Sequence, residues 1–210
     1  MSDHFSALPL SSFTEQLMSK APTPGGGSVA ALIGALAAAL GSMATNLTIG
    51  KKRFLQYEEE HRSIIADCNN LRLRFLGLID EDAAAFEPLS RAYSMDKSDP
   101  AYEDTMRTAT LRAAGAPFEM MQGCCELIAL LEALCGKCST LLLSDVGCAA
   151  VTARAALETA SMNVFVNTRL LPEDPEAERL SIQAGRMLEQ FTPRAQALED
   201  YVMEYLRRNV

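Results

Sequence analysis

A carboxylate set in an apolar stripe is the first feature of this sequence suited to chemistry. Ile64, Cys68, Leu71, Phe75 and Leu78 repeat at helical spacing. At 100° per residue, position 82 returns to the centre of that face, while Asp80 and Glu81 point to the far side and the flank. In Leu78-Ile-Asp-Glu-Asp82 only Asp82 therefore turns inward. A carboxylate taken out of water keeps its proton to higher pH, which suits proton transfer. The structural alternative is a buried Asp paired to an Arg or to a helix N-terminus.

Two amides form the second candidate. Asn163 and Asn167 lie four apart on one helix face, opposite the solvent side marked by Arg154, Glu158 and Arg169. Inward amides need partners, either neighbouring helices or a polar ligand. Asp145 falls on the same stripe but about 27 Å along the helix from Asn163, so the two do not meet one ligand atom within one chain.

The third candidate is the turn Pro24-Gly-Gly-Gly-Ser28. Gly25, Gly26 and Gly27 permit close backbone approach to a ligand, and the helix N-terminus that follows favours anions. The Gly-Lys-Ser/Thr ending of a phosphate loop is missing. At the other end of the same helix, Lys51, Lys52 and Arg53 are either a solvated helix end or a site for carboxylates. The chain has no Ser-His-Asp arrangement, no HExxH and no dinucleotide-binding fingerprint. An enzyme built on it would work by acid–base chemistry and positioning, without a metal. Cys135-Gly-Lys-Cys138 is a lone CxxC, and the only histidines are His4 and His61, so small residues around a helix end are the expectation there.

The elements that carry these residues are helical. Ala21 to Gly50 is thirty residues without a charge, in a chain of which 22% is charged. Val29, Ile33, Leu36, Leu40, Met43 and Leu47 form its large stripe, with Ala, Gly and Thr opposite. It is apolar all round and long enough to span a bilayer. The small residues and the absence of an aromatic belt favour a central helix packed closely on several sides, capped by Ser28 and closed by Gly50. A short helix from Phe13 to about Lys20 precedes it, started by the capping box Ser12-Phe-Thr-Glu15 after a loose lead-in over residues 1–10. Long helices follow over about Tyr57–Ala92, Ala101–Leu134, Asp145–Leu171 and Glu176–Arg208, with Pro88, Pro117 and Pro193 as expected kinks. The last turns Ala177, Leu180, Ala184, Met187, Phe191, Leu198, Tyr201 and Tyr205 inward. Gly136 to Ser144 reads as a loop with a helical turn or as a short strand. The expectation is an all-α bundle of five to six long helices around the small-residue-rich helix, in one domain over residues 1–210.

The chain has 210 residues, 49% of them hydrophobic, enough for one sizeable core. A net charge of −8 with a single basic cluster argues against a nucleic-acid partner, and no membrane partner is expected. Six cysteines without a secretory signal point to reduced thiols and a cytoplasmic location. Long helices with small-residue faces also suit a homodimer.

The ordered blocks Pro24-Gly-Gly-Gly-Ser-Val-Ala-Ala, Gly41-Ser-Met, Gly50-Lys-Lys-Arg-Phe, Asp80-x-Asp82-Ala-x-Ala-Phe86, Ser144-Asp-Val-Gly and Asn163-Val-Phe-Val-Asn167 resemble the cyclodeaminase/cyclohydrolase family of folate enzymes. The blocks run in order from about residue 10 to 172. The resemblance implies an all-helical dimer that takes a tetrahydrofolate derivative as substrate and keeps no permanently bound cofactor. It implies Asp82 as the proton-transfer group, Asn163 and Asn167 as positioning residues and the Gly25–Ser28 backbone as pocket lining. It also implies Lys51 or Lys52 on the glutamate carboxylates, with Asp145 among the substrate-binding residues. The reaction implied is hydrolysis of 5,10-methenyltetrahydrofolate, cyclodeamination of 5-formiminotetrahydrofolate, or both. The rival readings are a non-catalytic helical dimer, structural or folate-binding, and a relative acting on a non-folate imine or amidine.

Overall fold

The small residues of the uncharged stretch set the architecture, because they let helices approach closely on one side. The computed structural model describes residues 4–208 and holds six α-helices: α1 Leu10–Leu17, α2 Gly26–Asn46, α3 Glu58–Ala92, α4 Tyr102–Leu134, α5 Leu143–Thr168 and α6 Pro175–Arg208. Short 3-10 turns at Phe5–Ala7, Lys52–Tyr57 and Thr140–Leu142 join them, and no strand occurs among the described residues. α2 lies between α3 and α5, α4 packs behind this layer, and α6 closes against α5 and α4. One core runs through the bundle, with Phe75, Leu78, Ile79, Met120, Met121, Leu127, Ile128, Leu131 and Leu157 among its fully buried side chains.

The α2–α3 contact is a ladder with a seven-residue period. Gly27, Gly34 and Gly41 of α2 face Asp82, Phe75 and Cys68 of α3 in antiparallel order. A Cβ at Gly34 would lie 2.8 Å from the Phe75 ring, and one at Gly123 of α4 would lie 3.0 Å from it, so the ring fills the slot between two glycines. Burying a side chain of that size contributes about 1.5–3 kcal/mol. Cys68, Phe75 and Asp82 are thus successive positions of one buried stripe, and the carboxylate occupies the last.

α5 also runs antiparallel to α2. At one end the Asn163 side chain approaches Gly26. At the other, the Ser139 N–H just before α5 donates to Thr48 Oγ1 just after α2, at 3.0 Å.

Several expectations change. α2 buries only its small face (Gly27, Ser28, Ala30, Ala31, Gly34, Ala35, Ala37, Ala38, Gly41, Ala44 and Thr45). Its large stripe is only partly covered: Leu36, Met43 and Leu47 are exposed, at 49% and 52% for Leu36 and Leu47, while Val29 is half-buried and Ile33 and Leu40 pack half-buried against the core. Close approach of neighbouring helices requires small side chains, so the bulky ones are left outside. Ser28 does not cap α2; Gly25 holds the N-cap position and Ser28 lies buried in the first turn. The helix ends at Asn46, and Gly50 (φ 76°) belongs to the turn beyond it. α1 starts three residues early, at Leu10 after Pro9, and the capping box does not form. Proline presets the backbone for a helix start, which places Ser12 inside the first turn. The lead-in is ordered from His4, because Ser6 Oγ donates to Asp80 Oδ2 at 2.5 Å; residues 1–3 lie outside the described residues.

α3, α4 and α6 continue through Pro88, Pro117 and Pro193. Residues 136–144 form a turn and a helical turn rather than a strand. Tyr201 is 48% exposed; Val202 takes its place, packed against Gly147. The cysteines are free, and burial pushes the Cys68 thiol up to about 12 and that of Cys138 up to about 11. The stretches Gly26–Asn46 and Thr140–Thr168 are long and apolar enough to cross a membrane by length and composition, and here both are packed into the bundle.

Candidate active site

The C-terminal half of α3 meets the first turn of α2 at the last rung of the glycine ladder. Asp82 lies flat on the Cα of Gly27: a Cβ there would be 2.1 Å from Oδ1, 2.5 Å from Cγ and 2.6 Å from Oδ2. Only glycine leaves room for a carboxylate at this spot. Ser28 holds it from the next position, with Oγ 3.1 Å from Asp82 Oδ2 and the Ser28 N–H also bonded to the carboxylate.

Two forces oppose each other on Asp82. Burial raises its pKa above the ordinary carboxylate value, and the Ser28 hydroxyl and N–H lower it. Burial wins, so the proton is held to higher pH than on a solvated Asp. The helix-N-terminus pairing weighed from the sequence is therefore present, yet it does not cancel the desolvation.

The Ser28 hydroxyl has two acceptors in reach, Asp82 Oδ2 and the Ile79 carbonyl at 3.3 Å. An ionised Asp82 accepts from Ser28. A protonated Asp82 donates to Ser28 Oγ, whose own proton turns to Ile79 O. The carboxyl group is hydrogen-bonded in both protonation states, as a group that takes and returns a proton requires.

Asn163 comes from the C-terminal half of α5. Its Nδ2 donates to Thr159 O at 2.9 Å, and its Oδ1 lies 3.4 Å from a Cβ built on Gly26. Asn167 is tied into the bundle: its Nδ2 donates to Ala113 O of α4 at 3.2 Å and to Asn163 O at 2.8 Å. The structure thus gathers Gly25, Gly26, Gly27, Ser28, Asp82 and Asn163 at one end of the bundle, with Asn167 bracing α5 behind them. The N–H groups of Gly26 and Gly27 precede the first bond of α2, Val29 N–H to Gly25 O.

Lys51, Lys52 and Asp145 are not part of this gathering. Lys51 and Lys52 follow the far end of α2, about 30 Å from Gly26 at helical rise, and Asp145 lies in the first turn of α5 at that same far end. The sequence reading missed Ser6, which anchors the lead-in to Asp80, two residues from Asp82. No periodicity marks a hydroxyl outside the helices. Among the described residues, no three His, Cys, Asp or Glu side chains converge as metal ligands would.

Residues 9–185 match the family model described as formiminotransferase-cyclodeaminase. A methenyltetrahydrofolate cyclohydrolase of Methylorubrum extorquens is 34% identical over 205 residues, covering 96% of this chain and 97% of its own. The formimidoyltransferase-cyclodeaminase of Rattus norvegicus is 29% identical over 89% of this chain, which spans 35% of the rat protein. The crystal structure of a formiminotetrahydrofolate cyclodeaminase from Thermotoga maritima superposes with a TM-score of 0.83 at 26% identity, covering 94% of this chain and 98% of that one.

Proposed function

The chain belongs to the formiminotransferase-cyclodeaminase family, and from that premise we propose that it hydrolyses 5,10-methenyltetrahydrofolate to 10-formyltetrahydrofolate, with Asp82 moving the proton. The observation that carries this reading is a carboxylate of raised pKa seated on Gly27 and hydrogen-bonded to Ser28 in either protonation state. Correspondence to the Methylorubrum cyclohydrolase over nearly both whole chains supports the choice of reaction.

The substrate carries a cationic carbon bridging N5 and N10. Asp82, ionised, takes a proton from water as the oxygen bonds to that carbon. The neutral adduct then collapses: protonated Asp82 returns the proton to N5, the C–N5 bond breaks, and the hydroxyl proton leaves to solvent as the formyl C=O forms. Water is consumed and one proton is released. The Asn163 Oδ1 and the Gly25–Ser28 backbone position the substrate, and Asn167 holds α5 in place.

A second reaction uses the same carbon. In 5-formiminotetrahydrofolate, N10 attacks the formimino carbon and the N10 proton passes to the imine nitrogen, giving an amino adduct. Protonated Asp82 then gives its proton to that amine, the C–N bond breaks, and ammonia leaves with the cationic methenyl bridge formed. Similarity to the Thermotoga cyclodeaminase favours carrying this reading beside the first. Loss of methenyltetrahydrofolate absorbance on adding the protein tests hydrolysis, and ammonia release from 5-formiminotetrahydrofolate tests cyclodeamination. Silence with both substrates would overturn the folate assignment.

Ser28→Ala separates the two reactions. Losing the hydroxyl removes a force that lowers the Asp82 pKa, so that pKa rises further. Hydrolysis needs the ionised carboxylate and falls as pH drops through the pKa, so its acid limb moves to higher pH. Ammonia expulsion needs the protonated form and falls as pH rises, so its alkaline limb also moves up. Below the hydrolytic limb the variant loses about tenfold in rate, as a hydrogen bond to a charged group is worth ~1.5 kcal/mol or more. An unmoved pH profile would remove Ser28 from this role.

The enzyme acts as a cytoplasmic homodimer that keeps no permanently bound cofactor. Free cysteines, four of them buried, suit a reducing compartment. The dimer is joined across the outer face of α2, where Val29, Leu32, Ile33, Leu36, Leu40, Met43 and Leu47 are exposed or half-buried without a charge among them. In Leu36→Glu, light scattering at micromolar concentration should give the monomer mass. A dimer that survives this substitution would place the interface elsewhere.

A further inference from the structure

We propose that Pro117, which no step of the reaction uses, is a positioning residue for it. Pro117 leaves Ala113 O of α4 without a helix donor, the Asn167 amide takes that place, and α5 is thereby fixed with Asn163 against the glycine turn. The kinetic half of this rests on the folate reading above; the bonding half does not.

Proline has no N–H, so a proline inside a helix leaves the carbonyl four residues earlier without its donor, and its ring pushes against that carbonyl. Among the described residues three helices contain one. Pro88 frees Ala84 O, Pro117 frees Ala113 O and Pro193 frees Glu189 O. Ala84 and Glu189 are exposed residues, where water serves the carbonyl. Ala113 is 5% exposed, and a buried carbonyl needs a partner from the protein. Asn167 of α5 is that partner, with Nδ2 donating to Ala113 O at 3.2 Å. The break in one helix is thus mended by a side chain from another.

The second hydrogen of the same Nδ2 goes to Asn163 O at 2.8 Å. One amide therefore ties the freed α4 carbonyl to the α5 backbone at the residue whose side chain approaches Gly26. With both hydrogens spent, Asn167 has no donor left for a ligand, and its part is to set where α5 lies. Asn163 spends one Nδ2 hydrogen on Thr159 O at 2.9 Å, and its amide stands 3.3–3.4 Å from a Cβ built on Gly26. It keeps its Oδ1 and one hydrogen for the substrate. Pro117 acts on that amide through three links: Ala113 O, the Asn167 side chain and the Asn163 backbone.

A double-mutant cycle on the full chain tests both halves. Asn167→Leu should lower the melting temperature by about 4 °C or more in the wild-type background, because it orphans Ala113 O. Pro117→Ala returns an N–H to that carbonyl, so in this background the same substitution should lower it by less than half as much. Asn167→Ala reads the same cycle where leucine is not tolerated. Equal losses in the two backgrounds would overturn the bonding half. Pro117→Ala alone draws Ala113 O back into its own helix and loosens the hold on Asn167. It should raise KM for methenyltetrahydrofolate about threefold or more, with a smaller change in kcat, since a slight misplacement of a positioning group is already costly. A merely structural Pro117 would move the melting temperature and leave KM at the wild-type value, which would overturn the positioning role. A wild-type protein that turns over neither folate would overturn the folate reading and the kinetic half with it, while the melting cycle still decides the bonding half.

Discussion

Asp82→Asn should lose two to four orders of magnitude in kcat and keep the fold. Positioned acid–base groups contribute typically ~10² to 10⁴-fold, and among the described residues no other titratable side chain is bonded to Ser28 at this turn. The amide matches the carboxyl in shape and still accepts from Ser28, so binding and packing persist while proton transfer stops. KM should change little, because the lesion acts on the reacting proton rather than on the rest of the substrate.

Stability should move in the opposite direction from activity. Burial raises the folded-state pKa of Asp82 above its unfolded value. That contribution favours folding below the unfolded pKa and is lost as pH rises through the folded one. At neutral pH the wild type therefore bears the cost of a partly buried ionised group, and Asp82→Asn should melt at or above the wild-type temperature, with the advantage shrinking toward acid pH. Stopped-flow absorbance and differential scanning calorimetry measure the two halves. Wild-type turnover in the variant would remove Asp82 from the mechanism. A purely structural Asp82 would give the calorimetric result without the kinetic one.

Gly27→Ala is the second large effect. In an ordinary helix interior this change stabilises by about 0.8–1 kcal/mol, through propensity alone. Here the new methyl would stand within 3.0 Å of all three atoms of the Asp82 carboxyl group. The carboxylate must swing away, and it cannot do so while keeping both the Ser28 hydroxyl and the Ser28 N–H. The clash exceeds the propensity gain, so the variant should lose about 1–3 kcal/mol of stability, as overpacked cores do. Turnover should fall about 100-fold or more. Combined with Asp82→Asn, the kinetic effect should not multiply, because both lesions remove the same carboxylate from the same place. A multiplicative loss would mean that Gly27 serves the reaction independently of Asp82.

Much of this arrangement was legible in the sequence because it rests on periodicity. Helical spacing from Ile64 carried Asp82 to the inner face, and the long helices followed from their apolar stripes. What was not legible depended on which side of a uniform pattern would be covered. Ala21 to Gly50 has no charge to mark an outside, and bulk alone suggested that the large residues face the core. The structure buries the alanines and glycines instead, since the neighbours come too close for anything larger. Ser28 illustrates a different limit. A serine at the start of a helix is a good cap by type, but Gly25 takes that position and frees the hydroxyl for Asp82. The bond between Ser6 and Asp80 belongs to neither pattern, as it joins a short turn to a helix 74 positions away.

The seven-residue spacing of Gly27, Gly34 and Gly41 has a consequence for how sequence change reaches the chemistry. The three notches act as a gauge that sets how far α3 slides along α2, and the carboxylate is the pointer at its end. Sliding by one notch would put an aromatic ring where the acid belongs. An error at Gly41 displaces the pointer as surely as one beside it, only over a longer arm. Residues with no contact to substrate thus share the constraint on Asp82. Along this seam the alignment of the catalytic group and the cohesion of the fold are one property, and drift in either is felt as drift in both.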